Sequence, residues 1–340
     1  MSTQITIKDI AKMLGISVST VSRALKDHPD INPETKRQVK ELSDKLNYSP
    51  NAIALSLRNR KTFQLGIIVP EIVHHFFSCV ISGIEQVANE HGYNVIIMQS
   101  NESQEREISI CKSLMNARID GVLASVSKTT TDTSHFKQLL KAGVPMVFFD
   151  RIAGDLDTDR VIVDDFQAAY NAVKYMISTG CKSIAHLSAP QVLQIGQKRQ
   201  LGYKQALIDS NIEVDPSLII ACDNQFDAML VGKQLMERDD RPDGIFAVND
   251  LTAAGALYAV KKAGLKVPED VSICGFTDGL VSTITDPPLT TISQHGEQMG
   301  HIAAQLLLKR ISSEDSNYPT VTEVINTELI VRGSTKSISI

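Results

Sequence analysis

From about residue 62 to residue 276, short apolar runs alternate with longer amphipathic segments, and that alternation restricts the fold more than any other feature of the chain. The runs are GIIVP (66–70), NVIIMQ (94–99), DGVLAS (120–125), VPMVFF (144–149), SIAHLS (183–188), GIFAV (244–248) and VSICGF (271–276). They are rich in Val, Ile and Leu and lack polar alternation, so they read as strands buried on both faces. Between them, residues 79–91 set Val80, Ile84, Val87 and Ala88 at helical spacing, and residues 166–179 do the same with Ala168, Ala172, Tyr175 and Met176. Strand and helix in regular alternation build βαβ units and parallel sheets. One sheet would be too large for this length. The expectation is an α/β body of two doubly wound parallel-sheet subdomains with a cleft between them.

The first 48 residues follow a different pattern. Thr6 precedes Ile7, Ile10, Ala11 and Leu14 at helical spacing, and Thr6-x-x-Asp9 is a capping-box pattern. Gly15 ends that helix. Ser17 can cap a second helix carrying Val21, Ala24 and Leu25, with Ala11 small where the two would touch. This is a helix-turn-helix pattern. Asn32-Pro33-Glu34 starts a third helix whose stripe is Val39, Leu42 and Leu46. In such a unit the second helix lies in the DNA major groove. Val18, Ser19 and Arg23 lie on its outward side. Arg23 can bond guanine through two hydrogen bonds, Val18 can touch a thymine methyl, and Thr20 and Ser22 are candidates for phosphate. The charge distribution agrees. The chain is net −5, yet residues 1–61 hold 11 basic and 6 acidic residues, against 23 and 33 in the remainder.

Residues 49–61 link head to body. Ser49-Pro50 reads as a helix start, and the following NAIALSLRNRK is too short to be stable alone in water. Its candidates for DNA contact are Asn51, Ala54, Leu57 and Arg58. Leucine is among the side chains that proteins wedge between base steps in the minor groove.

The segments TIKDIA, VSTVSRAL and YSPNAIA-x-SL occur together, in order, and resemble the N-terminus of the lactose-repressor (LacI-type) family of bacterial transcription regulators. The resemblance covers headpiece, hinge and body. It implies a helix-turn-helix headpiece over 1–48, a hinge helix over 49–61 and an effector-binding, dimerising core over 62–340. It implies a core resembling periplasmic sugar-binding proteins, with an N-subdomain of about 62–161 and 292–323 and a C-subdomain of about 162–291 and 324–340. Val18, Ser19 and Arg23 match its base-reading positions, and Leu57 its hinge leucine. Phe76, Phe77, Asp164, Arg199, Asn224 and Asn249 match its effector-contact positions. Phe76 and Phe77 follow the first strand, Asp164 follows VIV, Arg199 follows SIAHLS and Asn249 follows GIFAV, and ligands of open α/β sheets bind beyond such strand ends. Asn249-Asp250 follow GIFAV, and Thr277-Asp278 follow VSICGF. There the chain departs from the family, which places an acid directly after the glycine–aromatic pair. Thr277 stands in that place and the acid follows at Asp278, so both are taken as effector candidates.

These readings predict a cytoplasmic repressor that binds a palindromic operator as a homodimer, controlled by a small sugar-like effector. The chain shows no GxGxxG, Walker, GxSxG or HExxH motif, so an enzyme is not expected, nor a cofactor. His74-His75 is no metal pair, since side chains of adjacent residues do not converge. Asp150-Arg151 and Asp286-Pro287-Pro288 read as ordinary loops at strand ends. The five cysteines are odd in number, far apart and without a CxxC pair, so they read as small buried hydrophobes. No apolar run is long enough to span a bilayer, and the charged N-terminus does not read as a signal peptide. That weighs against the alternative of a solute-binding protein for transport. After Val331-Arg332-Gly333 only STKSISI follows, with no heptad segment, so a dimer is expected rather than a tetramer.

Overall fold

The structure, a computed structural model, describes residues 5–46, 48, 61–313 and 319–337. It comprises two units, Met1–Thr62 and Phe63–Ile340. Among its described residues the first holds three helices, α1 (Ile7–Leu14), α2 (Val18–Ala24) and α3 (Pro33–Lys45). Each has a side-chain cap. Thr6 and Asp9 form the reciprocal capping box, Ser17 accepts from the Thr20 N–H at 3.0 Å, and Asn32 accepts from the Thr35 N–H at 2.7 Å ahead of Pro33. Gly15 closes α1 at φ 64°, in the left-handed region where glycine carries no Cβ penalty. Ile10, Ala11, Val21, Ala24 and Val39 are buried together, so one face of α2 is held inward and the other is left to solvent. The hinge candidates Asn51, Ala54, Leu57 and Arg58 lie outside the described residues.

The second unit starts with β1 (Gln64–Val69), α4 (His75–Glu90), β2 (Asn94–Gln99), α5 (Gln104–Asn116), β3 (Gly121–Ala124), α6 (Ser134–Lys141), β4 (Met146–Phe149) and β5 (Asp159–Val163). It continues through α7 (Asp165–Ser178), β6 (Ile184–Ser188), α8 (Gln194–Ile208), β7 (Ile219–Ala221), α9 (Gln225–Met236), β8 (Gly244–Ala247), α10 (Asp250–Lys262) and β9 (Ser272–Cys274). The remaining elements are α11 (Leu280–Ile284), β10 (Thr291–Ser293), α12 (Gly296–Ser312), β11 (Thr322–Ile325) and β12 (Glu328–Ile330).

Two parallel sheets result. The first runs β11-β5-β4-β3-β1-β2 and the second β7-β6-β8-β9. An antiparallel pair, β10 with β12, continues from β9 through bridges at Cys274–Thr290 and Thr277–Ser293. Alternation along each strand supplies two cores per sheet. In β1, Leu65, Ile67 and Val69 face α4 and α12, whereas Ile68 faces α5 and α6. In the second sheet, Ala185, Leu187, Ile245 and Ala247 pack with α9 and α10, and Ile184 and Phe246 with α7 and α8. The helices of the first sheet's α4–α12 layer cross closely because Gly83 and Gly300 bring backbone against backbone. A Cβ at either would strike a carbonyl of the other helix.

The expected α/β architecture is present, with three local differences. The run 94–99 is only half-buried, because β2 is the edge strand of its sheet and has one neighbour. The strands β7, β10, β11 and β12 carry apolar runs too brief to stand out. The chain passes between the two halves between Val163 and Asp165, between Ser293 and Gly296, and between Ile325 and Glu328. These crossings fall a few residues beyond the boundaries expected near 161, 291 and 323. The five cysteines are unpaired, four of them buried and Cys79 partly so.

Candidate functional site

On the headpiece, the outward face of α2 presents Val18, Ser19 and Arg23 to solvent, and Thr20 and Ser22 are half-buried beside them. The Thr20 hydroxyl shares a hydrogen bond of 2.8 Å with Ser17 Oγ. It is therefore engaged locally, as part of the cap. The others make no side-chain hydrogen bond among the described residues. A short helix held by a buried inner face, with a cation and small polar groups on its outer face, can enter a groove and donate to base edges and phosphates.

In the body, one cavity of about 370 Å³ collects the ends of both sheets. Residues following β1, β2, β3 and β4 form one wall, and residues following β6, β7, β8 and β9 form the other. Its position obeys the rule for open parallel sheets: all the contributing loops sit at strand C-termini. The expected residues Phe76, Phe77, Arg199, Asn224, Asn249 and Thr277 line it together.

Their partners explain their geometry. Arg199 is 4% exposed. Its Nε donates to Asp165 Oδ1 at 2.8 Å, its Nη1 to the Val248 carbonyl at 2.7 Å, and its guanidinium lies 3.6 Å over the Phe276 ring. Burial pushes the Asp165 carboxyl up, and the neighbouring Arg199 opposes that. Asn224 and Asn249 are helix N-caps. Asn224 accepts from the N–H groups of Phe226 at 3.1 Å and Asp227 at 3.0 Å. Asn249 accepts from the Thr252 N–H at 2.8 Å, and its Nδ2 donates to the Asp223 carbonyl at 2.9 Å. Phe76 and Phe77, in the first turn of α4, meet edge-on at 5.3 Å and are both buried. Thr277 has φ 122°, a strained angle for a β-branched residue, held by its N–H bonding the Ile292 carbonyl at 2.7 Å.

Two expected residues are not brought to this cavity. Asp164 is exposed and caps α7, accepting from the Gln167 N–H at 3.0 Å. The acid that turns inward is its neighbour Asp165, because helical phase at the start of α7 buries the second residue of the pair. Asp278 is turned away by its left-handed backbone, φ 59°, and pairs with Arg332 at 2.7 Å.

Other lining residues are not among the effector candidates, although Asp250 is placed at the end of GIFAV. Asp250, beside Asn249, is buried and accepts from the Thr291 hydroxyl at 2.5 Å and the Gly279 N–H at 2.7 Å. Burial pushes its carboxyl up to about 7, against the pull of those two bonds. Arg151, read as part of an ordinary strand-end loop, lines the cavity and pairs with Glu102 at 2.7 Å. Lys128 and Asp223 meet at 3.0 Å. The signal for all of these was position alone: each lies within a few residues of a strand's C-terminal end. His74 bonds Glu71 at 2.7 Å, and no group of three or more metal-ligating side chains is clustered among the described residues. No helix among the described residues is long and apolar enough to cross a membrane.

Such an arrangement can enclose a small molecule between aromatic rims and fixed amide and guanidinium donors. Comparison with known proteins accords with both units. Residues 6–51 match the model of bacterial regulatory proteins of the lacI family. Residues 62–332 match that of periplasmic binding proteins and the sugar-binding domain of the LacI family. The chain is 34% identical over 337 residues to the HTH-type transcriptional repressor CytR of Escherichia coli K12, covering 99% of this chain and 98% of that protein. It is 33% identical over 312 residues to catabolite control protein A of Priestia megaterium, covering 91% of this chain and 93% of that protein. Among solved structures, a transcriptional regulator CelR–cellobiose complex superimposes with a TM-score of 0.74 at 28% identity, over 97% of this chain and 99% of that one. The lac repressor dimer bound to operator shares the fold, with a TM-score of 0.86 at 22% identity over 98% of this chain and 100% of that one. CytR, matched along both units, is a transcriptional repressor, so the alternative of a solute-binding protein for transport falls away. The chain belongs to the LacI family of bacterial transcription regulators, with a helix-turn-helix DNA-binding domain and a periplasmic-binding-protein-like ligand-binding domain.

Proposed function

We propose that this regulator is a cytoplasmic repressor that binds a palindromic operator as a homodimer and responds to a small sugar-like effector held in the 370 Å³ cavity. The observation that carries this reading is the meeting of Phe76, Arg199, Asn224 and Asn249 at one site between the strand ends of two sheets. Residues 1–48 serve as headpiece, 49–61 as hinge and 62–340 as effector-binding core. Arg23 reads a guanine, Val18 and Ser19 meet neighbouring base edges, and Thr20 and Ser22 set the helix against phosphate. Asn51, Ala54, Leu57 and Arg58 act from the hinge, Leu57 as the wedge at the centre of the site. Phe76 and Phe77 offer ring edges to the effector, and Arg199, Asn249, Asn224 and Thr277 offer donors to its oxygens.

Dimerisation is supported by apolar side chains left in solvent on three helices, α9, α10 and α11. Phe226 and Ile284 are each 72% exposed, with Leu230, Tyr258 and Leu280 also exposed. A second copy related by a two-fold axis would cover them and set two headpieces on two half-sites.

The test is a binding selection from random double-stranded DNA with the intact protein at fixed salt. Enrichment of a palindrome is expected. Enrichment of a single half-site, or of nothing, would overturn the dimeric readout.

A further inference from the structure

The crossings between the two halves run along β5 and β11 in the first sheet and beside β10 and β12 in the second. The opposite edges of the two sheets are β2 and β7. An ion pair joins the two halves away from the crossings, from the middle of the first sheet to the far edge of the second. Lys128, in the loop after β3, places Nζ 3.0 Å from Asp223 Oδ2, in the loop after β7. Both side chains line the candidate effector cavity and both are partly exposed.

An ion pair at a surface contributes little when two flexible chains must be ordered to make it. Here both ends are already held. The Lys128 N–H donates to Glu102 Oε2 at 2.7 Å, and Glu102 Oε1 accepts from Arg151. The preceding residue, Ser127, donates its N–H to Glu107 Oε1 at 2.9 Å. Glu107 is fully buried and is held in turn by His135 Nε2 at 3.0 Å. On the other side the Asp223 carbonyl accepts from Asn249 Nδ2, and Asn224 is fixed as the cap of α9. The backbone at both ends is therefore ordered before the pair forms, and only the two side chains remain to be placed.

We propose that Lys128 and Asp223 form a latch that holds the two halves of the body closed over the cavity mouth. The crossings act as its hinge. A molecule enters or leaves the cavity through the unlatched state, and an occupant that bridges the two walls favours the latched one. What passes through the latch rests on the effector reading of the cavity; the latch itself does not.

Hydrogen exchange on the intact, ligand-free protein tests it, with Lys128→Met, Asp223→Asn and the double variant. Each single variant is expected to speed exchange around residues 125–131 and 222–227 by roughly two- to fivefold, the range of a modest ion pair. Exchange in β1 and β6 stays unchanged, and the double variant is no faster than either single one. Wild-type protein in high salt moves toward the variants. Unchanged exchange in both variants, or accelerations that multiply in the double, would overturn the latch. Neither result touches the effector reading, which fails only if no small molecule alters operator binding.

Discussion

The recognition helix and the cavity treat their polar side chains in opposite ways. On α2, Ser19 and Arg23 are exposed and make no side-chain hydrogen bond among the described residues. In the cavity, Arg199, Asn224 and Asn249 already hold at least two protein hydrogen bonds each. The difference follows from what each site meets. DNA is a polyanion whose phosphates supply affinity, so reading groups can be ordered on contact. A small ligand has few atoms with which to order anything, so its site must be built before it arrives. On the proposed reading, the cavity side chains serve stability and recognition together, whereas those of α2 serve recognition alone.

The sharpest way to break that contrast is Arg199→Ala. It leaves Asp165 buried without its partner, and loss of about 3–5 kcal/mol in unfolding free energy is expected. Denaturant unfolding measures it, and an unchanged midpoint would mean the cavity is no more committed than the headpiece.

Next comes pH. Asp250 is held near 7 in the folded chain and returns to the usual carboxylate range on unfolding. The folded state therefore keeps a proton that the unfolded state releases, and stability falls as pH rises from about 4 to about 7. Asp250→Asn removes this part of the slope. The variant should gain on wild type by a few kcal/mol between pH 5 and pH 8. Parallel slopes would contradict the burial argument.

Arg23→Ala should lower operator affinity by about 1–3 kcal/mol, relax one base pair's preference and move the unfolding midpoint little. Operator titrations across single-base variants would show it, and an unchanged preference would remove Arg23 from the readout. The smallest effect is expected for Asn224→Ala, a lost helix cap worth about 1 kcal/mol. Thermal unfolding measures that loss. A larger weakening of effector response than of stability would show that Asn224 contacts the ligand as well as capping α9.

The sequence was most legible where local physics decides the outcome. The capping box at Thr6, the turn at Gly15 and the Asn32-Pro33 helix start need only neighbours in the chain, and all are present as read. The long apolar runs are strands because burial on two faces leaves few alternatives. Legibility failed where tertiary placement decides. Residues 94–99 are apolar yet lie at a sheet edge, and β7, β10 and β12 gain their pairing from distant partners. Of the pair Asp164-Asp165, only the phase of α7 determines which turns inward. Asp278 follows the same strand as Thr277, but a left-handed turn gives it to Arg332. Lys128 and Asp223 are 95 residues apart, and nothing local marks either.

On the proposed function, the cavity and the headpiece are coupled through one equilibrium. The most direct test of that coupling takes the operator from the DNA selection and a panel of sugars and sugar derivatives, measuring operator affinity with and without each ligand. For a ligand that shifts operator affinity, the ligand's own affinity is then measured with and without operator. The predicted result is the same factor in both directions, as linkage requires. A ligand that occupies the cavity with one affinity, whether or not operator is bound, would contradict the account.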